Sequence, residues 1–419
     1  MKKIMMLLMM CVMGMSVVAQ TTNERMLEGS WSGKLNAGRM VLSLVFHITW
    51  DESGNPSCTF DSPDQSVRGM ATKVVFIGSD SIHLEMANLG ASYFAKLKNG
   101  ELDGTFVQMG YRFPLVLKRG EEKVRRPQHP VPPYPYITEE VTFENKEDGA
   151  TLAGTLTYPE GYKNMRPKDV PVLLMVTGSG QENRDEEIFD HKPFWVIADF
   201  LARHGIATLR YDDRNHGQSK GGEVAKATTA DFMRDARAGL NYLRSLKKFG
   251  KIGVLGHSEG ASIAFMLGAE KKADFIISMA GVGMKGDSVL TAQVNRMMEL
   301  NGMKPSMTVH AFRKKTMEEQ IPWLAWFIDY DPTADISKTT CPVLAINGEK
   351  DSQVLIENLS AIRRHLPANN KNLLKEYPSL NHLFQHCETG ATNEYRRIEE
   401  TISPEVLQDM AAWIDSLSR

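Results

Sequence analysis

Cysteine is scarce in this chain, with four residues in 419. Three of them, Cys58, Cys341 and Cys387, lie well beyond the N-terminus. An odd, scattered set excludes a disulfide framework, although it leaves room for one bridge outside the cytoplasm. Cys341 opens an apolar, strand-like run to Ile346 and reads as a buried thiol. Metal-ligand spacings are missing as well: neither C-x-x-C nor H-E-x-x-H occurs, so no metal site is expected. A basic excess is absent, because 49 Lys+Arg stand against 51 Asp+Glu and no Lys/Arg cluster stands out. That balance speaks against a nucleic-acid partner. With 42% hydrophobic and 24% charged residues, the composition excludes global disorder, a collagen-like repeat and a coiled-coil rod.

The first segment has the three zones of a targeting signal. Lys2 and Lys3 are its positive end, 4–13 its apolar stretch, and Ser16-Val17-Val18-Ala19 the small residues before a cut between Ala19 and Gln20. The apolar stretch falls short of the roughly 20 residues that span a bilayer, which excludes a membrane anchor. Cys11 follows Met9 and Met10, too bulky for lipoprotein cleavage. Residues 1–19 are therefore expected to be a signal peptide, and the protein to be exported, periplasmic or secreted, with no stable membrane insertion after cleavage.

Two regions of different grammar follow. Over 20–120, short alternating runs such as 40–48, 73–77 and 113–117 are divided by turn residues, among them Asp51-Glu52-Ser53-Gly54-Asn55-Pro56. Strands so spaced, with no helical stretch between them, predict a small antiparallel all-β domain, sheet or barrel. It holds no nucleophile beside a base. Its aromatics Trp31, Trp50, Phe106 and Tyr111 are read as core rather than as a ligand platform. Residues 121–136 come next, with five prolines in the nine positions 127–135, and are expected to be a semi-rigid linker.

From 137 to 419 strands alternate with helices. The runs 170–176, 207–211, 251–255, 275–279 and 342–346 are short and uninterrupted, as parallel strands buried on both faces should be. Amphipathic stretches at 194–203, 229–246, 261–267 and 404–417 separate or follow them. This is the α/β pattern of a doubly wound, mostly parallel sheet. About 282–338 is more than the core needs and reads as a helical cap insertion. Trp323, Trp326 and Phe327 in it are candidates for a substrate pocket, with packing against the core as the alternative.

The chemistry concentrates at Gly256-His257-Ser258-Glu259-Gly260, placed between a buried strand and a helix. G-x-S-x-G in that context is a nucleophile elbow: the glycines permit a sharp turn that exposes the serine hydroxyl with a helix N-terminus behind it. A serine hydroxyl needs a base and an orienting acid, in the order serine, acid, histidine. His382, after the run 373–377 and the turn Pro378-Ser379-Leu380-Asn381, is the expected base, with His386 its near rival; His310 and His365 fall in helical stretches. Asp351 closes the loop after 341–346 and is the expected acid, with Glu349 an acceptable substitute. Two backbone N–H groups should form the oxyanion hole, one from Glu259 and one from Val176-Thr177-Gly178-Ser179-Gly180-Gln181. Ser179 is favoured there, with Gly180 and Gln181 as neighbours that would serve instead.

These motifs resemble the α/β-hydrolase superfamily, and within it the bacterial two-domain carboxylesterases of the EstD type. The resemblance extends over Gly104-Thr105-Phe106, the proline-rich stretch, Gly178-Ser179-Gly180, Arg210-Tyr211-Asp212-Asp213-Arg214, the elbow and Pro342-Val343-Leu344-Ala345. It implies hydrolysis of short- to medium-chain carboxylic esters through an acyl-serine, a small-molecule ester as substrate, no cofactor, and a triad on Ser258, Asp351 and His382. A serine peptidase of aminopeptidase or oligopeptidase type is the runner-up, with Glu182, Asp185, Glu186 and Glu187 available to hold a substrate amine. A non-catalytic binding protein that captures ligand on the β domain is the third reading. The β domain is expected to dock beside the catalytic edge or to bind a ligand independently, and no feature specifies an oligomeric state.

Overall fold

The computed structural model describes residues 25–417 apart from 39, 66, 122 and 123, so the signal peptide read over 1–19 lies outside the described residues. The chain divides into two compact units, Met1–Arg125 and Arg126–Arg419.

The first unit is a closed antiparallel barrel. Its strands are β1 (Gly29–Ala37), β2 (Met40–Trp50), β3 (Pro56–Ser62), β4 (Val67–Ile77), β5 (Ser81–Met86), β6 (Ala91–Lys98), β7 (Glu101–Gln108) and β8 (Tyr111–Arg119). Each pairs with the next, and β8 returns to β1 at Ser32 opposite Lys118. The two-residue turns Asn99-Gly100 and Met109-Gly110 hold positive φ at both positions, the twist that suits tight hairpins. Period-two burial is clear in β5, where Ile82, Leu84 and Met86 face inward. The interior is filled: Phe46 lies 5.1 Å from Phe60 and 5.3 Å from Tyr93, ring to ring. The Tyr93 hydroxyl donates to the Leu102 carbonyl at 2.9 Å, so this buried phenol is satisfied. Trp31 and Phe106 belong to this core, Trp50 packs against it half-buried, and Tyr111 is at the surface.

The second unit opens with the proline-rich stretch. From Arg126 onward this segment, expected as a spacer, is fastened to the second unit. The Arg126 guanidinium donates to the carbonyl oxygens of Phe189, Asp190, Arg396 and Ile398. Gln128 accepts the Thr401 N–H and donates to the Ile402 carbonyl. An extended segment has no internal hydrogen bonds, so its polar side chains are free to satisfy loop carbonyls that no regular element reaches.

A nine-stranded sheet follows, made of β9 (Thr138–Asn145), β10 (Ala150–Thr157), β11 (Val172–Val176), β12 (Ala207–Tyr211), β13 (Lys220–Gly221), β14 (Ile252–His257), β15 (Ile276–Met279), β16 (Val343–Gly348) and β17 (Leu373–Tyr377). The order is β13-β10-β12-β11-β14-β15-β16-β17, with β9 on β10. Strands from β12 to β17 along that order are parallel, and β9, β10 and β13 are antiparallel. Helices cover both faces. Leu174, Val254 and Ile276 point to the side of α2 (Thr229–Leu246) and α3 (Glu259–Ala269). Leu173, Leu255 and Ile277 point to the side of α1 (Pro193–Arg203) and the C-terminal helix 404–416. Alternate residues of one strand thus enter two separate cores, which is why these runs are apolar without interruption. Between β15 and β16 the insertion forms α4 (Gly286–Leu300), α5 (Val309–Glu319), α6 (Pro322–Phe327) and α7 (Thr333–Lys338); α8 (Glu357–His365) leads to β17, and α9 (Thr392–Tyr395) and α10 (Pro404–Ser416) close the chain.

Candidate active site

The elbow is built by close approach. A Cβ on Gly260 would meet the Val176 carbonyl oxygen at 2.2 Å, and one on Gly256 would meet the Gly260 oxygen at 2.0 Å. Only glycine lets α3 start this tightly against β11 and β14. Ser258, between them, is forced to φ 54° and ψ −115°, a strained backbone for a residue with a side chain. Glu259 is the first residue of α3, so its N–H is among those that no carbonyl of the helix can reach, and the positive end of the helix dipole lies there.

Ser258 and His382 line one cavity of about 250 Å³ together with Gly178, Ser179, Trp323 and Phe327. His382 is buried, and its Nδ1 lies 2.7 Å from Asp351 Oδ2. The other carboxylate oxygen of Asp351 accepts the N–H groups of Gln353 and Val354 at 2.8 and 2.9 Å, which fixes the acid in the loop after β16. The alternatives lie elsewhere. His386 is exposed and pairs with Glu400 at 2.9 Å, and Glu349 is exposed and accepts the Ser379 N–H. His310 and His365 are exposed, in α5 and at the end of α8.

In the loop after β11, the Gly178 N–H is taken by Glu186 Oε1 at 3.1 Å, and the Gln181 side chain donates to the Arg214 carbonyl. The Ser179 hydroxyl reaches the Glu259 carboxyl. That carboxyl is buried and also accepts Thr229 Oγ1 at 2.6 Å and Trp323 Nε1 at 2.8 Å. It thereby joins α3 to α2, to the loop after β11 and to the cap helix α6. Trp323 and Phe327 stack at 5.1 Å and both line the cavity. Trp326, expected beside them, does not line it: its ring stacks on Tyr330 at 5.1 Å, because a turn of six residues can present only one face to the pocket.

Acidic groups crowd the floor. Burial, with the neighbouring Glu186, Asp213 and Glu259 charges, pushes Glu182 well above the usual carboxylate range. Burial pushes Asp213 up to about 8, against the N–H of Glu182 and the Thr177 hydroxyl that it accepts. Burial also raises Glu259, against its bonds to Thr229, Trp323 and Ser179. His257 is buried as well, with Nδ1 2.9 Å from Glu186 Oε1 and Nε2 3.0 Å from the His382 carbonyl oxygen. Burial disfavours its proton, but the Glu186 charge and both hydrogen bonds outweigh this and raise its pKa. The side-chain roles of His257, Glu186 and Asp213 are not foreseen from the sequence, although the histidine of the elbow and the Asp-Asp pair after β12 were visible there.

Among the described residues, one His/carboxylate group is close enough to share a cation: His47, Asp61 and Glu121, in the first unit. Arg68 already sits 3.1 Å from the same Asp61 oxygen that faces His47, which makes it an ion-paired cluster. Cys58, Cys341 and Cys387 are free thiols, Cys58 buried and the other two half-buried rather than wholly enclosed. No helix of the described residues is long and apolar enough to cross a membrane.

Residues 194–323, which run from α1 through the elbow into the cap, match the hydrolase family described as serine aminopeptidase, S33. The chain is 25% identical over 285 residues to the esterase EstD of Thermotoga maritima, a match covering 65% of this chain and 68% of that one. The second unit has the fold of the α/β-hydrolases, which this chain resembles. A second curated relative is an acyl transferase of Photobacterium leiognathi, 29% identical over 29% of this chain and 35% of the other. Among solved structures, the Pyrococcus furiosus esterase Pf2001 is 16% identical with a TM-score of 0.47, covering 72% of this chain and 100% of that one.

Proposed function

We propose that this protein is a serine carboxylesterase acting on short- to medium-chain acyl or small aryl esters, exported to the periplasm or beyond. The export rests on residues 1–19 alone. The observation that carries the catalytic reading is a strained serine at an elbow sharing one cavity with a histidine whose Nδ1 is 2.7 Å from a buried aspartate. Similarity to an esterase supports the choice of ester as substrate.

In this reading Ser258 Oγ attacks the ester carbonyl carbon while His382 Nε2 takes its proton. Asp351 holds Nδ1–H and stabilises the imidazolium. The N–H groups of Glu259 and Ser179 receive the oxyanion, with Gly180 and Gln181 beside them. Collapse expels the alcohol, which takes its proton from His382, and leaves an acyl-serine. A water then repeats the sequence, releasing the acid and restoring Ser258. Trp323, Phe327 and Val289 offer an apolar wall to the acyl chain, and about 250 Å³ suits a short one.

One observation favours the peptidase reading: a carboxylate oxygen of Glu182 is buried without a hydrogen-bond partner, and Glu182 lines the same cavity. A substrate ammonium would satisfy it. Comparing acyl 4-nitrophenyl esters of graded length with aminoacyl amides on the purified protein separates the two. The proposal expects kcat/KM for butyryl or hexanoyl esters to exceed that for any amide by at least about 100-fold, and Ser258→Ala to lower kcat by roughly 10⁴ or more. Preference for aminoacyl amides would replace the ester reading with the peptidase one.

A further inference from the structure

His257 precedes the proposed nucleophile and has no part in the chemistry above, yet it is buried with both ring nitrogens against acceptors. A carbonyl oxygen only accepts, so Nε2, 3.0 Å from the His382 carbonyl, carries a proton. Glu186 Oε1 already accepts the Gly178 N–H at 3.1 Å, so this oxygen faces the ring as an acceptor. Nδ1, 2.9 Å from that oxygen, therefore carries a proton too. A ring with two N–H groups is an imidazolium.

We infer that His257 is a charged positioning residue which, clamped by Glu186, ties the loop after β11 to the loop that presents His382. The inference rests on the reading of His382 as the base. The links run without a gap: Gly178 N–H to Glu186, Glu186 to His257, and His257 to the main chain of His382. Gly178 adjoins Ser179, whose N–H is proposed for the oxyanion, so one ion pair sets the base and an oxyanion donor relative to Ser258. A neutral imidazole has a single N–H and would have to release one loop or the other.

Glu186, from the loop after β11, and Asp351, from the loop after β16, favour its charge. The other acids nearby, Glu182 from the loop after β11, Asp213 from the loop after β12 and Glu259 from α3, are pushed toward their neutral forms by burial. The His382 ring, 4.7 Å from that of His257, is the basic group facing it. Tyr395 lies behind His382 and is kept protonated by burial. Histidine here does what a lysine or arginine could not, since its two donors point in opposite directions from a short, rigid side chain.

The charge is read without substrate. In the full chain labelled with ¹⁵N in its histidine rings, one ring should show both nitrogens protonated through pH 8. That signal should vanish in His257→Asn and become a neutral ring in Glu186→Gln. Absence of such a ring in the parent protein, or its survival in Glu186→Gln, overturns the charged state. The positioning role is read from kinetics on Glu186→Gln, with folding checked by circular dichroism. Here kcat, and the rate of fluorophosphonate labelling, should fall roughly 10- to 100-fold with KM within about twofold, and Glu186→Asp should recover part of the loss. Labelling at Ser258 with an unchanged rate in Glu186→Gln would overturn the positioning role. No labelling at Ser258 in the parent would instead overturn the esterase reading. If Glu186→Gln does not fold, His257→Asn supplies the same kinetic comparison.

Discussion

Asp213 is an acid whose charge the fold disfavours. It is buried, receives the Glu182 N–H at 2.8 Å and the Thr177 hydroxyl at 3.3 Å, and its pKa is pushed up to about 8. The folded state therefore holds this proton between the ordinary carboxylate range near 4 and pH 8, where the unfolded chain has lost it, so Asp213 lowers stability as pH rises across that window. Asp213→Asn keeps an acceptor oxygen without the charge. Relative to the parent it should gain roughly 1–3 kcal/mol of stability between pH 5 and pH 8, measured by denaturant unfolding at both values. A constant difference at the two pH values would show that the carboxyl is ionised throughout. At the same scale, His382→Ala should abolish ester hydrolysis while His386→Ala keeps most of it, because His386 is exposed and occupied with Glu400. Asp351→Asn should cost roughly 10⁴ in kcat with little change in KM, checked by steady-state kinetics.

Among the elements, the passage β14–elbow–α3 was the most legible in the sequence. Its strand is buried on both faces, so an uninterrupted apolar run is required, and its glycines stand where a Cβ would strike a carbonyl oxygen at 2.0 to 2.2 Å. Such constraints act over a few residues and leave a local signature. The cap was legible in outline only. Its helices had no boundaries there; α5, for one, starts where Thr308 caps it by accepting the Ala311 N–H. The charge on His257 was not legible, since it depends on acceptors 71 and 125 residues away that only the folded loops bring together. The cap helix α6 is joined to the elbow through Trp323 Nε1 and Glu259 at 2.8 Å. Trp323→Phe removes that bond and keeps the apolar ring. It should raise KM roughly 3- to 10-fold with kcat little changed, as expected when a group that shapes binding is loosened; a fall in kcat alone would mean that the bond serves the oxyanion donor rather than the pocket.

On the scale of the molecule, two units with separate cores share one chain, a filled antiparallel barrel and a sheet of the α/β-hydrolase fold. The sequence marked the change of grammar between them, because alternation with period two differs visibly from apolar strands separated by helices. It did not mark Arg126 as a structural residue, since four separated backbone carbonyls leave no pattern of their own. Arg126→Ala should destabilise the catalytic unit by about 1–3 kcal/mol, read from its denaturation midpoint, because those carbonyls lose a charged donor. The account as a whole stands on Ser258 as the nucleophile of this fold. Its most direct test is intact-protein and peptide mass spectrometry after reaction with a fluorophosphonate. The account predicts one adduct, on the peptide containing Ser258, with parallel loss of esterase activity and no adduct in Ser258→Ala; an adduct on another residue, or esterase activity that survives complete labelling of Ser258, would contradict it.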